Sequence, residues 1–182
     1  MRIFQESLQE GKTGESLIAQ HFLRKGYSVL PVYEILPGAF KGPVLFTASH
    51  DVLVAPDMLV LGKGKIFWIE AKHKTAFSWH RTTECWNTGI DKHHFEQYLA
   101  VQELHPTIPV WLLFLHKNGT AKDTPEGLTS PSGLFGNSLT YLARHIHHKD
   151  MRWGRHGMVY WELRDLKMLA PLDDFLGDIP NR

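Results

Sequence analysis

The sequence predicts an α/β domain: a mixed central sheet flanked by helices. Three stretches carry that prediction. Residues 5–26, "QESLQEGKTGESLIAQHFLRKG", read as a helix closed by Gly26. Residues 55–74, "APDMLVLGKGKIFWIEAKHK", read as two apolar strands joined by a glycine turn. Residues 108–116, "IPVWLLFLH", form a mostly apolar run of the kind found in strands covered on both faces. Helix, strands, helix, strand in that order place helices against a sheet.

The chain has 182 residues, which favours one domain spanning 1–182. It is 43% hydrophobic and 12% aromatic, enough to bury a core and unlike a disordered chain. No apolar run approaches the roughly 18–20 residues of a membrane helix. The polar start, "MRIFQESLQEGKTGE", lacks a signal-peptide core. A single cysteine, Cys85, has no internal partner, so a cytoplasmic, reducing location is expected. A net charge of +1 neither demands nor excludes a nucleic-acid partner, because a local patch can act where net charge does not. Twelve histidines keep metal binding in play.

The elements follow in order. After the first helix, residues 27–36 read as an extended segment that Pro31 keeps at a sheet edge. A loop with Pro37, Gly38, Gly42 and Pro43 leads to the hairpin. Residues 73–89 show no clean period and read as a loop or short irregular elements. Residues 90–105 read as a second helix, 108–116 as a strand and 117–133 as a loop. A helix over 137–148 would be capped by Asn137 or Ser138. Residues 158–163 read as a last strand, and 166–176 as a short helix or turn.

The hairpin poses a chemical question, since it carries two acids and a lysine near one end. If Lys63-Gly64 is a two-residue turn, Asp57 lies directly opposite Glu70, with Cβ atoms about 4.5–5.5 Å apart. Lys72 is two residues beyond Glu70 and shares its face. Two carboxylates that close repel unless a cation neutralises them. Hard oxygen donors suit Mg²⁺ or Mn²⁺. The alternative is a plain ion pair between Lys72 and either acid on a solvated strand end.

The helices add polar groups to that end. At 100° per residue, Leu8, Gly11, Ile18, Ala19 and Phe22 form one stripe, and Glu15 falls near its middle. An acid there must be paired or ligate a metal. In the second helix Ile90, His94, Gln97, Tyr98, Val101 and Leu104 share a face. His94 and Gln97 are its polar members and stand as accessory candidates, against the plain reading of hydrogen-bonded core side chains.

Glu15, then Pro56-Asp57, then Glu70-Ala71-Lys72, resemble the signature of the PD-(D/E)XK nuclease superfamily, including the thirteen-residue step from Asp57 to Glu70. The leading-helix Glu is similar to that of the branch containing Holliday junction resolvases. The resemblance covers roughly residues 5–117 and implies a restriction-endonuclease-like core there, with 118–182 as a C-terminal extension. It implies that Asp57, Glu70, the Ala71 carbonyl and Glu15 hold Mg²⁺ or Mn²⁺, and that Lys72 helps activate the hydrolytic water. The implied function is a metal-dependent phosphodiester hydrolase, a DNA endonuclease. Some relatives carry a Gln-x-x-x-Tyr pattern on the next helix. Here Gln97 directly precedes Tyr98, and the spaced pair is His94 and Tyr98, which leaves the role of Gln97 open.

Beyond Lys72, the cations His73, Lys74, His80 and Arg81 mix with Phe77, Trp79 and Trp86. Phosphate contacts and base stacking suit His73, Lys74, Trp79, His80 and Arg81; a loop whose tryptophans fill a satellite core is the alternative. Residues 144–157 form a second basic stretch, a phosphate-binding flap or a solvated face, with His145 and His148 near enough on a helix to share a metal. Two further readings stay open: a non-catalytic nucleic-acid-binding module on the same fold, and an unrelated assembly subunit. The oligomeric state is open too, a homodimer among the options because two cuts in one duplex often need two active sites.

Overall fold

The structure, a computed structural model, describes residues 4–32, 43–49, 52–121, 123–152 and 156–176, with the backbone alone over 4–11. Helix α1, Phe4–Arg24, is followed by β1 (Ser28–Pro31), β2 (Val44–Phe46), β3 (Val52–Val54), β4 (Met58–Gly62), β5 (Lys65–Lys74), β6 (Ser78–His80) and β7 (Cys85–Asp91). Then come α2 (Lys92–Leu104), β8 (Val110–His116), β9 (Gly133–Ser138), α3 (Leu139–Arg144), β10 (His148–Asp150) and β11 (Met158–Glu162). A 3-10 turn at Leu163–Asp165, β12 (Lys167–Ala170) and α4 (Asp173–Leu176) follow among the described residues. No helix among the described residues is long and apolar enough to cross a membrane.

Helix α1 ends in a Schellman motif. Gly26, at φ 79°, donates to the Leu23 carbonyl, and Tyr27 donates to that of Phe22. The chain then enters the edge strand β1, where Pro31 sits as expected. The expected Pro37-Gly38-Gly42 loop and the side chains of Leu8 and Gly11 lie outside the described residues.

The main sheet has the order β1-β4-β5-β8-β9-β12. Strands β5 and β8 run parallel, and the other neighbours are antiparallel. One face packs on α1 through Leu17, Ile18, Met58, Val60, Ile69 and Ala71. The other packs on α2 and α3 through Phe95, Tyr98, Val101, Leu112, Phe114 and Leu139. Strand β8 is covered on both sides, which is why its sequence lacks alternation.

A second sheet, ordered β10-β11-β7-β6, shows that 73–89, read as a loop or short irregular elements, holds the regular strands β6 and most of β7. Its strands are short, and β6 and β7 meet through a tight turn at 81–84. Strand β7 continues to Asp91, so Ile90 belongs to a strand and α2 begins two residues later. Asp91 caps α2 by accepting from the His93 amide at 2.8 Å. The helix expected over 137–148 is also shorter: Ser138 caps it, but it stops at Arg144. His145 stacks on Tyr141, and His148 belongs to β10, so these two histidines share no helix. The small hairpin β2–β3 and the strands β9 and β12 are additions to the predicted elements.

Candidate active site

The β4–β5 hairpin has the register expected from its sequence. Gly62 pairs with Lys65 and Met58 with Ile69 across a Lys63-Gly64 turn. Both turn residues have positive φ, 53° and 70°, as a type I′ turn requires. Asp57 lies one residue beyond the last pair. Its Oδ2 accepts from the Ala71 amide at 2.8 Å, while its own carbonyl accepts from Val32 in the adjoining segment. The Ala71 amide thus fixes the carboxylate, and the Val32 amide fixes the backbone that carries it.

Glu70 is 1% exposed. Its Oε1 pairs with the Lys72 ammonium, whose side chain keeps 28% exposure at the mouth of the site. Among the described residues its buried Oε2 has no hydrogen bond of normal geometry. Tyr98, buried on α2, faces Glu70: burial, then the charges of Glu70 and Asp57 and a hydrogen bond to Glu70, raise its pKa well above the usual range.

The third acid comes from α1. The buried face of that helix runs through Gly14, Leu17, Ile18 and His21, so Glu15 stands at its margin and not at its centre. Gly14 explains the placement. A Cβ there would lie 2.5 Å from the His73 Cβ, so only glycine lets the helix approach β5 this closely. Glu15 then enters the electrostatic field of Lys72 and Glu70.

Charge within this cluster is unevenly satisfied. Burial and then Glu70 raise the Asp57 pKa well above the ordinary carboxyl value, against the pull of Lys72. Burial likewise raises that of Glu15, again opposed by Lys72. Burial alone would strip the Lys72 proton; the charges of Glu70, Asp57 and Glu15 overcome it and hold the pKa above normal. One ammonium facing three acids leaves the set short of positive charge. The donors are hard carboxylate oxygens, which fits a small divalent cation.

The remaining candidates divide. Lys74 lies one step along the Lys72 face, its pKa brought down to about 8 by burial and by Lys72. His73 sits against α1 at Gly14. His94 packs near Tyr98 with ring centres 6.1 Å apart, its pKa lowered by burial and by Lys72. Gln97 turns elsewhere: its Oε1 accepts from the Val54 amide at 3.1 Å, which ties β3 to α2. Trp79 packs edge-on against Trp86 at 5.0 Å. Arg81 pairs with Asp123 at 2.6 Å. Phe77 is fully buried and stacks on His116 at 3.6 Å, so it cannot stack on a base. His80 belongs to a histidine cluster on the second sheet, with His147 and His148 ring centres at 5.0 and 4.7 Å. Tyr98 and Gly14 are the residues that sequence reasoning undervalued. The His94/Tyr98 spacing pointed to the first; nothing local marked the second.

Comparison with known proteins yields fold-level likeness alone. No family model matches the chain, and no curated protein does. Among solved structures, a Holliday junction resolvase from the archaeal hyperthermophile Archaeoglobus fulgidus aligns over 85% of this chain and 90% of its own, with TM-score 0.48 and 8% identity. A nuclease from a fusselovirus aligns over 93% of this chain and 89% of its own, with TM-score 0.43 and 14% identity.

Proposed function

We propose that the chain is a metal-dependent phosphodiester hydrolase acting on DNA, with its active centre at Asp57, Glu70, Lys72 and Glu15. The observation that carries this reading is the convergence of three carboxylates from α1, the β4 entrance and β5 on one lysine. An ordinary ion pair sets one cation against one acid; this set has two acids more.

Asp57, Glu70, the Ala71 carbonyl and Glu15 would hold Mg²⁺ or Mn²⁺. When bound, such an ion supplies positive charge to a phosphate as negative charge develops in hydrolysis. The chain's own residues do the rest. The Ala71 amide keeps Asp57 in one orientation. Glu70 anchors the Lys72 ammonium, which stays protonated and partly exposed, where a phosphate oxygen or an attacking water can meet it. Lys74, next along the strand, offers a second cation to the backbone of the nucleic acid.

Cleavage of supercoiled plasmid and of four-way-junction DNA tests the proposal. Nicking is expected with Mg²⁺ or Mn²⁺ and not with chelator. Asp57→Asn is expected to lower the rate on the order of 10²–10³-fold. The same variant should raise the melting temperature of the metal-free protein. A carboxyl with a raised folded-state pKa contributes stability below its unfolded value and loses it as pH rises through the folded one, so at neutral pH Asp57 carries a penalty that Asn lacks. A chain that retards DNA in a gel, weakens as salt rises and never cuts with either ion would be a binding module instead.

A further inference from the structure

We propose a second metal site on the four-stranded sheet, for an ion of the zinc class, held by Cys85, His147 and Glu162 with His80 beside them. The ligand atoms of Cys85, His147 and Glu162 all lie within 4.8 Å of one another. Zinc bond lengths of about 2.0–2.3 Å set tetrahedral ligands roughly 3.3–3.8 Å apart, so modest side-chain rotation closes the set.

Strand pairing brings these residues together. His80 and Cys85 pair directly across the β6–β7 turn. Glu162 pairs with Asn87, two residues along β7 from Cys85 and so on the same face. His147 precedes β10, and its amide donates to the Tyr160 carbonyl on β11. Four segments therefore deliver four donors to one corner of the sheet.

The exposed Thr83 hydroxyl sits among them. It is 2.7 Å from His80 Nδ1, 3.1 Å from Cys85 Sγ and 3.3 Å from His147 Nε2. A hydroxyl with one proton and two lone pairs can bridge all three, so Thr83 marks the point on which their ligand atoms converge. A cation at that point would take its place, since Thr83 lies on an exposed turn from which its side chain can rotate away.

The outer contacts also suit ligation. His147 presents Nε2 to the cluster, 3.3 Å from Glu162 Oε1, while its Nδ1 is 2.7 Å from His148 Nδ1. Glu162 presents Oε1, while its Oε2 accepts from Arg164 at 2.6 Å. A metal-binding imidazole or carboxylate is usually oriented in this way through its other atom. Thiolate plus imidazole selects zinc-class ions over magnesium, so this site and the oxygen-rich one would take different metals from the same medium.

Cobalt titration of the untagged full-length chain tests the site. The expected result is a thiolate-to-cobalt charge-transfer band that saturates at about one equivalent with magnesium present in excess, displaced by zinc and not by magnesium. Cys85→Ser should abolish the band, His147→Ala and Glu162→Gln should weaken uptake roughly tenfold or more, and Asp57→Asn should leave it unchanged. Because the chain has one cysteine, alkylation is a readout on the wild-type protein: zinc should slow it roughly tenfold or more. No charge-transfer band and no protection in the folded wild type would overturn the proposal. So would a band that survives at full affinity in both His147→Ala and Glu162→Gln.

Discussion

The two polar clusters of this protein are built differently. At the carboxylate centre, Asp57, Glu70 and Lys72 all belong to one hairpin, and a sixteen-residue stretch of sequence contains them. At the histidine corner, His80, Cys85, His147 and Glu162 come from four segments spread over more than eighty residues. The first cluster is buried at its base, with Glu70 1% exposed; the second lies at the rim of a small sheet under an exposed turn. A register set by a two-residue turn concentrates chemistry locally. A sheet assembled from distant strands can do so only after folding, and its donors are chemically softer.

The largest effect that would sharpen this contrast comes from cutting the lysine out of the hairpin. Lys72→Met leaves Glu70 buried without its partner, an expected loss of about 3–5 kcal/mol in urea unfolding. Cleavage should vanish as well. In Lys72→Met/Glu70→Gln the unpaired charge is gone, and most of the stability should return while activity does not. A double variant as unstable as the single one would mean that the ion pair is not what holds this end of β5. Neither variant should alter cobalt uptake at Cys85.

The same contrast explains what could be read from the sequence. The register of β4 and β5 was legible because Lys63-Gly64 admits a type I′ turn and the apolar alternation on either side agrees with it. Strand β8 was legible from its unbroken apolar run. The second sheet was not: β6 has three residues and β10 three, too short for a period, and their polar faces look like loop. Gln97 seemed placed for the site because a helical wheel gives direction without partners. It faces β3, a strand too short to have been expected. Glu15 was placed on the right helix but too deep in its stripe, because the contact that turns the helix, Gly14 on His73, has no periodic signature.

A smaller effect tests how α1 meets the hairpin. On a solvated helix Gly→Ala stabilises by about 1 kcal/mol. Gly14→Ala should do the reverse, destabilising by about 1–3 kcal/mol, because its Cβ would fall 2.5 Å from that of His73. Glu15 moves with the helix, so cleavage should fall more than the lost stability accounts for. Stabilisation with full activity would show that the helix does not hold Glu15 in place through this contact.

The smallest expected effect separates the carboxylates from a buried imidazole on the next strand. His116 is fully buried on β8, stacked on Phe77, with the Ala76 backbone beside its ring. Burial and then the Lys74 charge lower its pKa from 6.5 to about 3. Between those values the unfolded chain binds the proton more readily. The contribution of neutral His116 is therefore intact above 6.5 and is lost as pH falls from 6.5 toward 3. Near pH 5 the loss should reach about 1–2 kcal/mol. Asp57 and Glu15 run the other way, because their raised pKa values favour the folded state as the medium becomes acid. The wild-type curve is a sum of opposed slopes, and His116→Phe, which keeps the ring stack, removes one of them. On going from pH 7 to near pH 5, the urea midpoint of His116→Phe should therefore move toward higher urea relative to the wild-type change. An unchanged difference would place the acid sensitivity elsewhere, whereas adding Asp57→Asn to His116→Phe should remove part of the opposite slope contributed by the carboxylate centre.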